Sequence, residues 1–304
     1  MCDDDTMGLG CRCAKAALPP SNERVAIKFQ TKETAMNSGK LKCLGRGIQP
    51  WVLAAILCGP GLLSVSAATN PPAIDARADE LLRRAGDYLA EAPFFSVNAE
   101  VWQDAVLDSG LRVQGARTVS LEVRRPNKFH AEVHSSHRNR EMWYDSKSIA
   151  ILDRNRNLYG VTAAPGSLDA MLDFVTEKLG IAMPLDDLVE SNPYAKAIQN
   201  VSSGTYLGPT TVLGVACEHL AFTQTNIDWQ IWIQDGPKPV PVKIVITYKD
   251  EDGSPQYTAL LSKWDFETKL PDFVFNFEVP PQAQKIDIME LKPPASQATS
   301  RKEQ

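Results

Sequence analysis

Beyond residue 58 the sequence holds one cysteine, Cys217. The other five, Cys2, Cys11, Cys13, Cys43 and Cys58, lie upstream of it. No intramolecular disulfide is open to the rest of the chain, so its stability must come from a core. Cys11-Arg12-Cys13 has metal-like spacing, but no second pair follows it. G-x-S-x-G, H-E-x-x-H, a phosphate loop and a dinucleotide fingerprint are all missing, so no motif supports an enzyme. There is no basic surplus either: 32 Lys/Arg stand against 37 Asp/Glu. That balance argues against nucleic acid as a partner. The longest apolar run, Trp51 to Val65, is interrupted by Gly59-Pro60-Gly61. It falls short of the roughly 20 apolar residues that span a membrane.

What is present upstream is an export signal. Met36 opens a stretch with three basic residues and no acidic one, MNSGKLKCLGRGIQP. The short apolar run follows, and Val65-Ser66-Ala67 gives a small-x-small exit. This order describes a cleavable secretory signal over residues 36–67, cut after Ala67. A single anchor is the competing reading, and the glycine–proline break counts against it. Lipidation at Cys58 is disfavoured by the large Leu57 before it. Residues 1–35 then read as a non-native or disordered extension, with translation starting at Met36. Eight basic and five acidic residues fall before the cut, so the remainder carries a net charge of −8.

Residues 68–290 read as one domain. Ala73 to Ala92 is an amphipathic helix with Ile74, Ala78, Leu81, Leu82, Ala85 and Leu89 on one side, stopped by Pro93. Strand patterns follow in Phe94–Leu107, Leu111–Arg125, Phe129–Val133, Glu141–Ser146, then at Ile149 and Ile151, and in Leu158–Thr162. The pattern then turns helical over Leu168–Leu179, behind Ser167 as N-cap. Two shorter helical turns are expected at Pro184–Val189 and Pro193–Ile198. Strands resume at Val201, with a turn expected near Gly208-Pro209. Cys217 to Lys249 reads as a three-stranded meander. Leu220 and Phe222 share a face, as do Trp229, Ile231 and Ile233, and then Val242, Ile244, Ile246 and Tyr248. Trp232 opposes Trp229. Gln256–Phe266 is a further strand, and Phe273, Phe275 and Phe277 alternate. Residues 291–304 lack apolar anchors and read as a disordered tail.

Helix, strands, helices, strands gives an α+β fold: one large curved antiparallel sheet, a half-open β-barrel, with helices on its concave face. A partly closed barrel plugged by helices is a natural place for an apolar cavity. Val97, Val101, Leu121, Leu172, Val175, Phe222, Trp229 and Ile231 are the candidate lining residues. An ordinary core would use the same residue types. Cys217 and His219 share a strand face and could make a nucleophile and base, but packing explains the pair more simply. His130 and His134 share a face, with His137 in the next loop. Metal ligation is open to them, but they read more simply as surface histidines, and neither metal nor cofactor is expected. Asp169, Asp173, Asp186 and Asp187 read as helix-surface charges.

Seven segments together carry a family resemblance: VRRPNKF, MWYD, NLYGV, LGVACEHLAF, DWQIWI, PVPVKIVIT and FVFNFEVPPQAQKI. They resemble the predicted periplasmic family known as domain of unknown function 2092, from about Ile74 to Ile288. That family is similar to the lipoprotein carriers LolA and LolB. The resemblance implies a half-open barrel around an apolar cavity, in the periplasm, with a lipid or lipoprotein acyl chain as ligand. A sensor of the envelope, signalling to a protein partner on the same fold, is the alternative. A Cys217/His219 enzyme is the third.

Overall fold

The computed structural model describes residues 73–289 except 182 and 184. The signal segment, the extension before it and the tail after residue 290 lie outside the described residues.

Helix α1 (Ala76–Glu91) begins where Asp75 accepts from the Arg77 amide and so caps an otherwise orphan donor. Six strands follow: β1 (Phe94–Val106), β2 (Arg112–Arg124), β3 (Lys128–Ser135), β4 (Asn139–Tyr144), β5 (Ser148–Asp153) and β6 (Leu158–Ala163). The chain then turns helical. Helix α2 (Leu168–Asp173) is capped by Ser167 and runs on into a π-helical turn at Phe174–Lys178. A 3-10 turn at Asp186–Leu188 and helix α3 (Pro193–Ile198) complete the insertion. The second meander comprises β7 (Ser203–Val212), β8 (Val215–Thr223), β9 (Ile227–Gln234), β10 (Pro241–Tyr248) and β11 (Gln256–Asp265). A short β12 (Gln284–Lys285) ends it.

All twelve strands join one sheet in the order β12-β6-β5-β4-β3-β2-β1-β11-β10-β9-β8-β7. Every pairing is antiparallel except β12 on β6. The two meanders meet at β1–β11, so one sheet runs through both halves of the chain. The sheet does not close. Its two ends are covered by chain that enters and leaves the domain. The Ala73 carbonyl and Asp75 amide bond Gly204 on β7, and β12 lies along β6. Covering an edge in this way removes a template for unwanted strand addition.

The helices cover the inner face in two places, as the alternation implies. Leu81, Leu82 and Ala85 of α1 pack on Leu220, Phe222, Trp229 and Ile231. Leu168, Met171, Leu172 and Val175 pack on Phe95, Val97, Leu121, Phe129 and Ile149. Close approach of helices requires Gly86: a Cβ there would lie 2.7 Å from the Tyr194 backbone nitrogen. Arg125 ties the layers together by donating to the Val189 carbonyl at 2.8 Å and the Leu89 carbonyl at 3.3 Å.

Two local expectations are corrected. Gly208-Pro209 is not a turn: β7 passes through it with a register shift at Tyr206/Gly208, and the turn falls at Leu213-Gly214. Gly208 has φ +102°, so its freedom serves a bulge within the strand. The alternating phenylalanines form no strand. Asp272–Phe275 is a 3-10 turn crossing the outer face. Phe275 is fully buried there, while Phe277 packs on Trp143 and Tyr159 at 5.0 and 5.4 Å. The segment is a strap that meets the sheet through Phe275 and Phe277, while Phe273 is 74% exposed.

Candidate ligand-binding cavities

Two cavities open on the inner face, between sheet and helices. The first has a volume of about 250 Å³. Its walls come from α1 (Leu82, Leu89), α3 (Tyr194, Ala197) and the facing strands β9 and β10. Register explains the strand wall: Ile244 pairs with Ile231 and Ile246 with Trp229, so four apolar side chains form one inward block. The second cavity, of about 300 Å³, lies over β2–β5. Val119, Leu121, Phe129, Ala131, Met142 and Ile151 line its floor, and Tyr257 of β11 contributes from the side.

The segment 185–190 divides the two. Leu185 stands in both walls. Asp186 faces the second cavity and Asp187 the first. Burial pushes the Asp186 carboxyl up to about 7, and its neighbour Asp187 is raised for the same reason. Asp187 is exposed and stands at the wall of the first cavity. Asp186 is therefore not the helix-surface charge that composition suggests, while Asp187 keeps an exposed side. Lys196 of α3 is their nearby cation, paired with Glu190 at 2.8 Å. Burial raises the Glu190 carboxyl despite that pairing. Arg117, Arg138 and Arg140 line the second cavity at the β3–β4 hairpin end. Asp169 takes another role, accepting from the Ser191 amide at 2.8 Å and so fixing the divider's end.

Of the residues singled out from sequence, Trp229 and Ile231 stand in the first cavity and Leu121 in the second. Val97, Val101, Leu172, Val175 and Phe222 are buried in the packed layers and line neither of these two. Trp229 points inward, stacked on Phe222 at 4.3 Å. Trp232 points outward, stacked on His219 at 4.0 Å with the Lys243 ammonium 4.5 Å from its ring. Ile244 and Ile246 were findable, because they share a face in the same meander. Arg117 and the Asp186-Asp187 pair carried no such signal: their orientation depends on long-range packing.

Cys217 and His219 each have a partner other than one another. The thiol donates to the Val215 carbonyl at 3.4 Å, and His219 Nε2 lies 3.0 Å from Gln230 Oε1. Burial raises the Cys217 thiol and lowers the His219 imidazole. Cys217 is 1% exposed. In native protein it is expected to resist a disulfide reagent such as Ellman's and to react rapidly once the chain is unfolded in urea. Rapid native reaction would show a thiol that packing does not protect.

A family model described as "Predicted periplasmic protein (DUF2092)" matches residues 78–289. The chain belongs to this family. Similar solved structures include an uncharacterized conserved protein from Thermus thermophilus, with 11% identity and a TM-score of 0.42. That match covers 69% of this chain and 99% of the other. The lipoprotein LppX of Mycobacterium tuberculosis is 15% identical with a TM-score of 0.41, covering 65% and 100%. A LolA superfamily protein from Nitrosomonas europaea is 10% identical with a TM-score of 0.37, covering 66% and 97%. No curated protein sequence matches the chain. Among the described residues, no helix is long and apolar enough to cross a membrane.

Proposed function

We propose that this protein binds and carries an amphiphile, a lipid or a lipoprotein acyl chain, in the periplasm. The observation that carries this reading is the pair of apolar cavities on one sheet face, about 250 and 300 Å³, separated by only the 185–190 segment. Ligand sites are concave and mainly apolar, with few polar groups to fix orientation. Both cavities fit that description. Aliphatic walls take the chain by removing apolar surface from water. Arg117, Arg138 and Arg140 give the second cavity a cationic end suited to a carboxylate or phosphate headgroup. The DUF2092 description supports the compartment. A partner that loads or receives the ligand belongs to the same reading, because a carrier must exchange its cargo.

Native mass spectrometry of protein purified from an exporting host tests this directly. The expected result is a bound species that dissociates on activation and yields a lipid mass. The delipidated protein is expected to take up a fluorescent fatty acid. Absence of both a bound species and uptake, in folded protein, would overturn the reading.

A further inference from the structure

His130 is the histidine that departs furthest from a surface role. Its side chain is 9% exposed, on the outer face of β3. Strand alternation puts Glu132 and His134 on the same face, and register sets Glu132 directly opposite Glu141 of β4. Two carboxylates directly opposed across a sheet repel unless a positive charge lies with them. Glu141 is itself buried and accepts from Arg154 on both oxygens, from Nε on Oε1 and from Nη2 on Oε2 at 2.6 Å, so ligation would release one of them. Glu132 has His134 Nε2 at 3.1 Å from one of its oxygens.

The ring nitrogens of His130 have different surroundings. Nδ1 lies 2.8 Å from Glu122 Oε2, on the strand behind. A carboxylate at that distance holds the proton on Nδ1, since it can only accept. The lone pair is then on Nε2. That atom is buried and has no hydrogen-bond partner. It points toward Glu132, whose Oε1 is 3.9 Å away. One ligand atom each from His130, Glu132 and Glu141 lies within 4.8 Å of the other two. A buried lone pair facing carboxylate oxygens is unfavourable on its own, and a cation among them removes the conflict.

We propose that His130, Glu132 and Glu141 form a binding site for a divalent transition cation of the zinc class. One imidazole nitrogen and two carboxylate oxygens are a suitable donor set for such an ion. Glu122 would take the outer role common at metal-bound imidazoles, fixing tautomer and ring orientation through Nδ1. Donors about 2.1 Å from a tetrahedral ion lie roughly 3.4 Å apart, so the three would draw in by about an ångström. Glu132 can supply that movement, because its side chain is 36% exposed and also opens an entry path. Arg154 can keep one Glu141 oxygen while the other ligates. His130 and Glu132 line neither cavity, while Glu141 also borders the second. On the outer face the site lies against Trp143, which stacks on His130 at 5.1 Å and touches Phe277 of the strap. An ion here would fasten β3 to β4 under that strap.

The test is calorimetric titration of the full chain, stripped with a chelator, with Zn²⁺ alone, alongside Co²⁺ titration read by visible absorption. One equivalent is expected to bind, with a Co²⁺ spectrum of low coordination number. His130→Gln and Glu132→Gln are expected to weaken binding at least tenfold, and Glu122→Gln by about 10–100-fold through the imidazole. His137→Gln, in the neighbouring loop, is the control and should bind as the native chain does. Glu132→Gln is conservative and half-exposed, so it stays informative if His130→Gln fails to fold. Two results would overturn the proposal. One is no stoichiometric binding, or binding unchanged in Glu132→Gln. The other is a ring ¹⁵N spectrum in which both His130 nitrogens stay protonated at neutral pH with excess Zn²⁺. A proton, and not a metal, would then answer the carboxylates.

Discussion

Ile244→Glu is expected to abolish uptake of an acyl-chain probe into the first cavity, and Val119→Glu to do the same in the second. Both positions line a cavity yet are only partly buried, so the folded sheet can hold the new carboxylate at the cavity surface. An entering chain would have to desolvate that charge, at a cost of several kcal/mol. Affinity should fall by at least about a hundredfold in the altered cavity, which corresponds to about 2.8 kcal/mol. Thermal unfolding should move by only a few degrees. Measured with a fluorescent fatty acid, each variant alone separates the contributions of the two cavities, and the pair together should remove uptake altogether. Uptake unchanged in the folded double variant would mean that neither cavity is the binding site. Leu172→Glu is a poorer probe. Leu172 lies deep in the packing of α2 on the sheet, so a charge there would unfold the domain before it reported on binding.

The second large effect concerns pH. Asp186 titrates near 7 in the folded chain, against an ordinary value near 3.8, because burial disfavours its charged form and Asp187 stands beside it. The folded state therefore holds a proton that the unfolded chain has released. Stability from this source is complete below about pH 4 and is lost as the pH rises through about 7. Carboxylates held low act in the opposite sense. The hydroxyl of Tyr194 lowers Asp79, and Arg124 lowers Asp272, so their contribution is lost only as the pH falls through the acid range. The lowered His219 imidazole also acts in the opposite sense between pH 5 and pH 8, and the larger Asp186 shift dominates the slope there. The urea midpoint is expected to be higher at pH 5 than at pH 8, by a stability difference on the order of 2–3 kcal/mol. Asp186→Asn should flatten that slope and be more stable than the native chain at pH 8. A midpoint that rises from pH 5 to pH 8 would refute the assignment. The same pair sits between the cavities, so acyl-chain uptake should also strengthen on mild acidification.

The sheet was legible because strand periodicity is local. In β1, β2, β8, β9 and β10 alternate side chains must face either core or water, and a shift of one residue would exchange them. The inward Trp229 and outward Trp232 follow from that parity alone. Caps at Asp75 and Ser167, and the helical insertion between the meanders, follow from equally local chemistry. The strap at Asp272–Phe275 shows the limit. Alternating aromatics also occur in an irregular segment that lies across a sheet, and the sequence does not distinguish the two.

What the sequence by itself determined is the pair of antiparallel meanders, the amphipathic α1, the lone Cys217 and the family to which the chain belongs. Tertiary structure decided which apolar residues are packed and which border open space. Val97 and Leu121 pair across β1 and β2 on one face, yet of the two only Leu121 lines the second cavity. It also decided the fate of the polar residues. Asp186 and Asp187 became a divider between cavities, and His130 became a buried ring among carboxylates, since register across β2, β3 and β4 joins residues that no spacing along the chain connects.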